Sequence, residues 1–454
     1  MWGSGCAHRL ECTEHGGGQV RRIETTHFVV SSDLPEPLLK TEVRKLEQLW
    51  DAWVVFFGSA PSETTQLQVV LSSSGTANEF VADSSGFVRF TAPAMLFSEV
   101  TTYSVKGKEL SYSSNAHELV HLVSHFWLPR QARWISEGLA EYLGDAEFKR
   151  EAVIRMGRWQ WQGGAVDSLE ALWAWDEMRE TGARQTELYQ SAWAWIHYFS
   201  NRDEARLARL WAALATMRSA RAAFESVFPT SEWAALQEQV QRYLNEGRFR
   251  GWETRVLREP QLSEPKVLEP WEVHLLRREY FEGRKFKREE TRKALSLSKG
   301  AAPASLTLAR FEDEYRGPEL SGVLDALPAD DGRALRLAAS APDVSPRKRF
   351  ELLERALKAL PNDLQVLLDF AIAADGKKDL RRLETSQKAV ALAPWWPSPR
   401  FQVAAALAEF GRCAEADLEM EQALGLAVDG SPALTKEITD YRASLAKLCA
   451  KVKP

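Results

Sequence analysis

Residues 113–125 read SSNAHELVHLVSH and set three histidines, His117, His121 and His125, four residues apart, with Glu118 directly behind the first. An α-helix rises about 1.5 Å per residue, so His117 and His121 lie about 6 Å apart along the axis and nearly on one face. Two imidazoles placed in this way can converge on one metal ion, and a carboxylate beside them suits a general base rather than a ligand. His125 lies about 12 Å along the axis from His117, whereas zinc–nitrogen bonds are about 2 Å long, so the outer two cannot share an ion. His125 is therefore read as a packing or outer supporting residue. A metzincin site is excluded as well, because it needs glycine at 124 and histidine at 127, where this chain has Ser124 and Trp127.

The third ligand has to come from outside this helix. Sixteen residues past His121 stands Glu137, within RWISEGLAEYL. HELVH followed by WISEGLAEY resembles the gluzincins, the thermolysin-like and aminopeptidase-like zinc peptidases, and is especially similar to bacterial peptidase MA-like families of unassigned function. The resemblance covers residues 23–248. It implies an α+β, thermolysin-like domain with a small mixed sheet and a helical half. It also implies Zn2+ held by His117, His121 and Glu137, with Glu118 as the general base and Glu141 as the carboxylate that orients a zinc-bound imidazole. Relatives often add a tyrosine or histidine from the helical half to stabilise charge on the carbonyl oxygen. Tyr189, in ELYQSAWAWIHYF, is the candidate for that role, with His197 and Tyr142 behind it. The implied reaction is hydrolysis of a peptide bond, the substrate lying extended along a sheet edge at residues 86–99.

Several elements must position these residues. HFVVSS at 27–32 predicts a strand, and residues 36–57 carry helical periodicity through Leu39, Val43, Leu46 and Trp50. QLQVVLSSS predicts a second strand, a short helix is expected at 76–82, and the glycine and proline within 86–99 suggest one or two short strands at an edge. Helical spacing returns at 112–127 and Pro129 stops it. From 130 to 247 the pattern is almost entirely helical, with tryptophans such as Trp173, Trp175, Trp193 and Trp195 as core material. Residues 249–325, which include GRKFKREETRKALSLSKGAAPAS, read as a linker or insertion that buries little surface.

The segment 326–454 holds a repeat, seen in ERALKALP, QKAVALAP and EQALGLAV, with Ala356, Ala389 and Ala423 in register. Steps of 33 and 34 residues match a tetratricopeptide unit, in which paired helices stack because neither buries its apolar face alone. An all-α repeat domain is expected there, with 432–451 as its polar capping helix. Residues 1–22 form a tail.

Composition bounds the alternatives. At 45% hydrophobic and 27% charged residues the chain has an ordinary globular balance, and a net charge of −5 provides no global basic field for nucleic acid. No apolar run approaches the roughly 18 residues of a membrane span, so no transmembrane segment is expected. Gly3-Ser4-Gly5-Cys6 resembles the end of a lipoprotein signal, though leucine usually stands where Gly3 does, and it suggests an extracytoplasmic lipoprotein with a truncated signal; the alternative is a cytoplasmic tail. Cys413 and Cys449 fall on neighbouring predicted helices, either bridged or as reduced core residues. The leading reading is a zinc peptidase acting on a peptide or protein substrate, its repeats binding that substrate or a protein partner. The alternatives are a catalytically silent interaction scaffold and a lipoprotein hydrolase acting on cell-wall peptides. The intact Glu118 favours the first over the scaffold, since a structural zinc site needs no general base.

Overall fold

The computed structural model describes residues 19–61, 66–73, 86–89, 95–105, 108–113, 115–149, 153–158, 160–175, 182–216, 219–247, 249, 251–256, 258–280, 284–298, 330–341, 344–427 and 432–451. The helix expected at 76–82 and the Gly3-Ser4-Gly5-Cys6 segment lie outside these residues.

Strand β2 (Phe28–Ser32) buries Phe28 and Val30 completely and pairs antiparallel with β1 (Arg21–Glu24) and parallel with β3 (Leu67–Ser73). A parallel neighbour requires a crossover, and α1 (Glu36–Phe57) supplies it. Its buried stripe, Leu39, Val43, Leu46, Trp50 and Trp53, follows the helical period, and Gly58 ends the helix in the left-handed conformation at φ 84°. Strand β3 pairs parallel with β5 (Met95–Val105). On the far side of β5, β4 (Gly86–Arg89) takes one end and β6 (Lys108–Ser113) the other, both antiparallel. The result is a mixed sheet with β4 at one margin, where an edge strand was expected.

Helix α2 (Asn115–Ser124) follows β6 and lies against β4 and β5. Leu119, Val120, Leu122 and Val123 point into the core, while His117, Glu118 and His121 occupy the partly exposed face. The helix is shorter than the periodicity of 112–127 predicts, because β6 claims residues up to 113 and a turn takes 125–127. Next comes α3 (Arg133–Gly144), then α4 (Leu169–Ala174), α5 (Ala183–Arg202), α6 (Glu204–Thr216), α7 (Ala220–Val227) and α8 (Trp233–Glu246). Trp134, Trp175, Trp193 and Trp195 are fully buried among them, as core residues.

Three features depart from the sequence expectation. A three-stranded sheet, β7 (Glu147–Phe148), β8 (Val153–Met156) and β9 (Trp252–Arg255), interrupts the helical region. The reading of 249–325 as a linker is corrected over its first part. Strand β9 pairs with β8, β10 (Lys266–Val267) pairs with β1, and α9 (Pro270–Tyr280) packs on α10 (Arg284–Leu297). The charges that argued against burial are paired instead: Glu290, itself buried, lies 2.7 Å from His274 Nδ1 and 3.2 Å from Arg277 Nε. Residues 299–329 lie outside the described part. The tail also ends earlier than 22, since β1 starts at Arg21.

The C-terminal part is a row of helices: α11 (Gly332–Ala339), α12 (Pro346–Ala359), α13 (Leu364–Ala373), α14 (Leu380–Leu392), α15 (Pro397–Glu409), α16 (Cys413–Ala427) and α17 (Pro432–Lys451). Each packs on the next, and α11, α13, α15 and α17 also touch in succession, as stacked hairpins do. Ala356, Ala389 and Ala423 sit fully buried in α12, α14 and α16, where a larger side chain would hold the helices apart. Cys413 is disulfide-bonded. The row meets the first half at the turn after α2: Trp395 packs edge-on against Phe126 at 5.0 Å, and the buried Arg130 donates from Nη2 to the Gln422 carbonyl at 3.4 Å. Among the described residues no helix is long and apolar enough to cross a membrane.

Helices α3 and α5 approach each other through Gly138, where an added Cβ would lie 2.6 Å from the Ala192 carbonyl oxygen and 2.8 Å from Ile196 Cγ1. One of these neighbours is backbone and cannot rotate away. Gly138→Ala is therefore expected to destabilise the protein by about 1–3 kcal/mol in urea unfolding, despite alanine's better helix propensity, and an unchanged midpoint would contradict this packing.

Candidate metal centre

Two helices build the site. The HELVH segment presents His117 and His121 from successive turns of α2, and α3 crosses it with Glu137 one turn in from its start. Their separation is set by backbone contact: a Cβ on Gly144, at the end of α3, would lie 2.7 Å from His117 Cα and 2.9 Å from its nitrogen. Glycine there lets α3 close over the first histidine.

Three donor atoms converge. His121 Nε2 is 3.2 Å from His117 Nε2 and 3.2 Å from Glu137 Oε2, and His117 Nε2 is 3.7 Å from the same oxygen. Donors about 2.0–2.1 Å from a tetrahedral ion stand about 3.4 Å from one another, which falls within this spread. Glu137 Oε2 is buried and satisfies the geometry of no hydrogen bond even at 3.2 Å from an imidazole nitrogen, as expected of an oxygen aimed at a shared point rather than along an N–H. The three residues could hold a metal ion.

The outer faces of both rings are also engaged. His121 Nδ1 lies 2.9 Å from Ser136 Oγ, so a ring whose Nε2 held an ion would carry its proton on Nδ1 and donate it to that hydroxyl. Glu141 Oε1 stands 3.5 Å from His117 Nδ1, beside the ring it was expected to orient. Ser136 was missed in the sequence, although it directly precedes Glu137 and so lies on the same approach of α3 to α2.

Electrostatics favour a cation here. Burial works to raise the pKa of Glu137, but contact with His117 and His121 outweighs it and holds the carboxyl down at about 2. Burial pushes Glu118 and Glu141 up instead, and Glu137 adds to that rise in each case. On His117, burial opposes protonation, yet Glu137, Glu141 and Glu118 prevail and raise its pKa. Three carboxylates thus face two imidazoles, a surplus of negative charge that a divalent ion would offset.

The remaining candidates separate clearly. Tyr189 on α5 borders a cleft shared with Glu141, its ring edge against Trp175 at 5.1 Å, and burial followed by the Glu137 charge raises its pKa. His197 and Tyr142 do not face the centre. His197 is fully buried, donating from Nε2 to the Gly157 carbonyl at 3.0 Å and accepting at Nδ1 from the Tyr243 hydroxyl at 2.8 Å, while Tyr142 packs edge-on against it at 5.6 Å. They hold the helical core together. His125 lies beyond the end of α2, 6.4 Å ring to ring from Trp395, in a packing role.

No protein-family model, curated protein or solved structure matches this chain.

Removing the hydroxyl in Ser136→Ala should weaken zinc binding about 10- to 100-fold in a competition titration, with the fold intact; unaltered affinity would show that the contact orients nothing. A second expectation concerns acid. Burial lowers the His197 pKa from 6.5 to about 4. Below about pH 6.5 the unfolded chain binds a proton that the folded one refuses, so this contribution is intact at neutral pH and is lost as pH falls towards about 4. Unfolding free energies measured across that window should decline less in His197→Gln than in the parent, and equal slopes would contradict a neutral buried ring.

Proposed function

We propose that this protein is a zinc-dependent peptidase of the gluzincin type, with Zn2+ held by His117, His121 and Glu137. The observation that carries the reading is the convergence of these donors from two helices, with Glu118 on the same face of α2 and no role in ligation. The donor set of two imidazoles and one carboxylate leaves a coordination position open, as catalytic zinc sites do and closed structural ones do not. Zinc bound there supplies a Lewis acid that polarises the scissile carbonyl and acidifies the attacking water.

The chain's own residues supply the rest. Glu118 accepts the water's proton on its carboxylate and returns it to the departing amine, and its burial favours holding that proton between the two steps. Tyr189 donates its hydroxyl hydrogen to the carbonyl oxygen as charge builds there. Ser136 and Glu141 fix the ring orientation of His121 and His117. The β4 margin of the sheet offers backbone groups for an extended substrate next to α2. The helical row binds a protein partner or part of the substrate, as stacked hairpins with extended faces do. The disulfide at Cys413 favours an oxidising, extracytoplasmic compartment.

The test pairs metal analysis with a variant. The wild-type protein should carry about one zinc per chain and cleave members of a broad peptide library. Glu118→Gln should keep its zinc while cleavage falls about 10²- to 10⁴-fold. Zinc-loaded wild type that cleaves nothing, or a variant that cleaves as well as its parent, would favour a silent scaffold.

A further inference from the structure

Beside the ligands lies a cleft of about 510 Å³, lined by Glu141 from α3, by Thr186, Tyr189, Gln190 and Trp193 from one face of α5, and by Gln160 and Gln162 from the loop after β8. Two of its walls belong to the candidate centre. Glu141 also stands 3.5 Å from His117 Nδ1, and Tyr189 feels the charge of Glu137, so whatever fills the cleft lies next to the reacting bond. Among the described residues the remaining lining has three primary amides and no aliphatic residue, which is unusual for a peptide side-chain pocket. Among the described residues the lining also contains no lysine or arginine.

This chemistry discriminates. The Gln160 amide is held against the end of α3, donating to the Glu141 carbonyl at 3.5 Å, and Gln190 is half-buried on α5, while Gln162 is exposed. An aliphatic side chain entering would strip water from the amides and leave them unpaired, which is costly compared with leaving the cleft wet. An acidic one would approach the Glu141 carboxylate directly, with no lysine or arginine among the described lining residues to offset the repulsion. A side chain with a methylene stem and N–H groups at its tip does better. Its stem lies on the rings of Tyr189 and Trp193 while its tip donates to Glu141 and to the glutamine carbonyls.

We propose that this cleft is the subsite for a donor-bearing side chain of the substrate, glutamine, asparagine or lysine, adjacent to the bond cleaved, and that Gln160, Gln190 and Glu141 select it. The inference rests on the peptidase reading for the place of that bond.

Its test uses binding, separately from turnover. Fluorescently labelled pentapeptides carrying Gln, Lys, Leu or Glu at each position in turn are titrated into full-length, zinc-loaded Glu118→Gln protein and followed by anisotropy. At one position Gln or Lys should bind about tenfold more tightly than Leu or Glu, and a Gln160→Leu, Gln190→Leu double variant with the parent's melting curve should lose that preference. Gln190→Glu, which keeps the size of the side chain, should shift the preference from Gln towards Lys. Equal or better binding of Leu or Glu at every position, binding of no peptide, or a preference that survives both changes would overturn the subsite. If the preferred peptides bind as described but wild-type protein leaves them uncut, the hydrolase reading fails while the subsite stands.

Discussion

The organisation of the first half centres on one convergence: two imidazole nitrogens and one carboxylate oxygen, from different helices, stand 3.2–3.7 Å from one another. Helix α2 alone can bring two donors to a point but not three, because a third histidine on the same face is too far along the axis. A second helix must therefore cross close by, and α3 does so by presenting glycine at its contacts. Gly144 lies against the backbone of His117, and Gly138 lets α5 press on α3 from the other side. Tyr189, Gln190 and Trp193 come with α5, so the packing that places Glu137 also places the wall of the cleft.

The buried charges fit the same convergence. Three carboxylates gathered around two imidazoles would be a poor arrangement in a protein interior with nothing between them, since like charges at this range raise one another's pKa values and burial adds to the effect. A divalent ion among them would turn the same groups into ligands, a base and a ring-orienting acceptor, as the proposed function requires. The contrast with Glu290 is instructive, because that buried carboxylate is balanced locally by His274 and Arg277 and needs no ion.

Much of this was legible in the residues. The spacing of HELVH defines a shared helical face, and the β-branched apolar run in HFVVSS and the apolar stripe of 36–57 are readable signals for β2 and α1. The alanines at 356, 389 and 423 mark helices that pack closely at regular steps. What escaped was whatever depends on partners distant in sequence. Strands of two to four residues, such as β7 to β10, carry no readable alternation. The charged run of α9 and α10 buries Glu290 beside distant counter-charges, His274 and Arg277, which composition alone does not reveal. Residue type named Tyr142, Tyr189 and His197 alike as candidates, whereas orientation distinguishes them: the first and last turn into the core, and only Tyr189 borders the cleft. The direct contact of Trp395 with Phe126, which seats the helical row on the turn following the histidine-bearing helix α2, had no signature at all.

The claim on which the rest stands is the donor set itself, and X-ray absorption at the zinc edge of the purified, zinc-replete protein interrogates it directly. The account predicts a first shell of nitrogen and oxygen at about 2.0–2.1 Å with outer-shell scattering from two imidazole rings. A sulfur shell at about 2.3 Å, scattering from more than two rings, or no bound zinc in folded protein would contradict it.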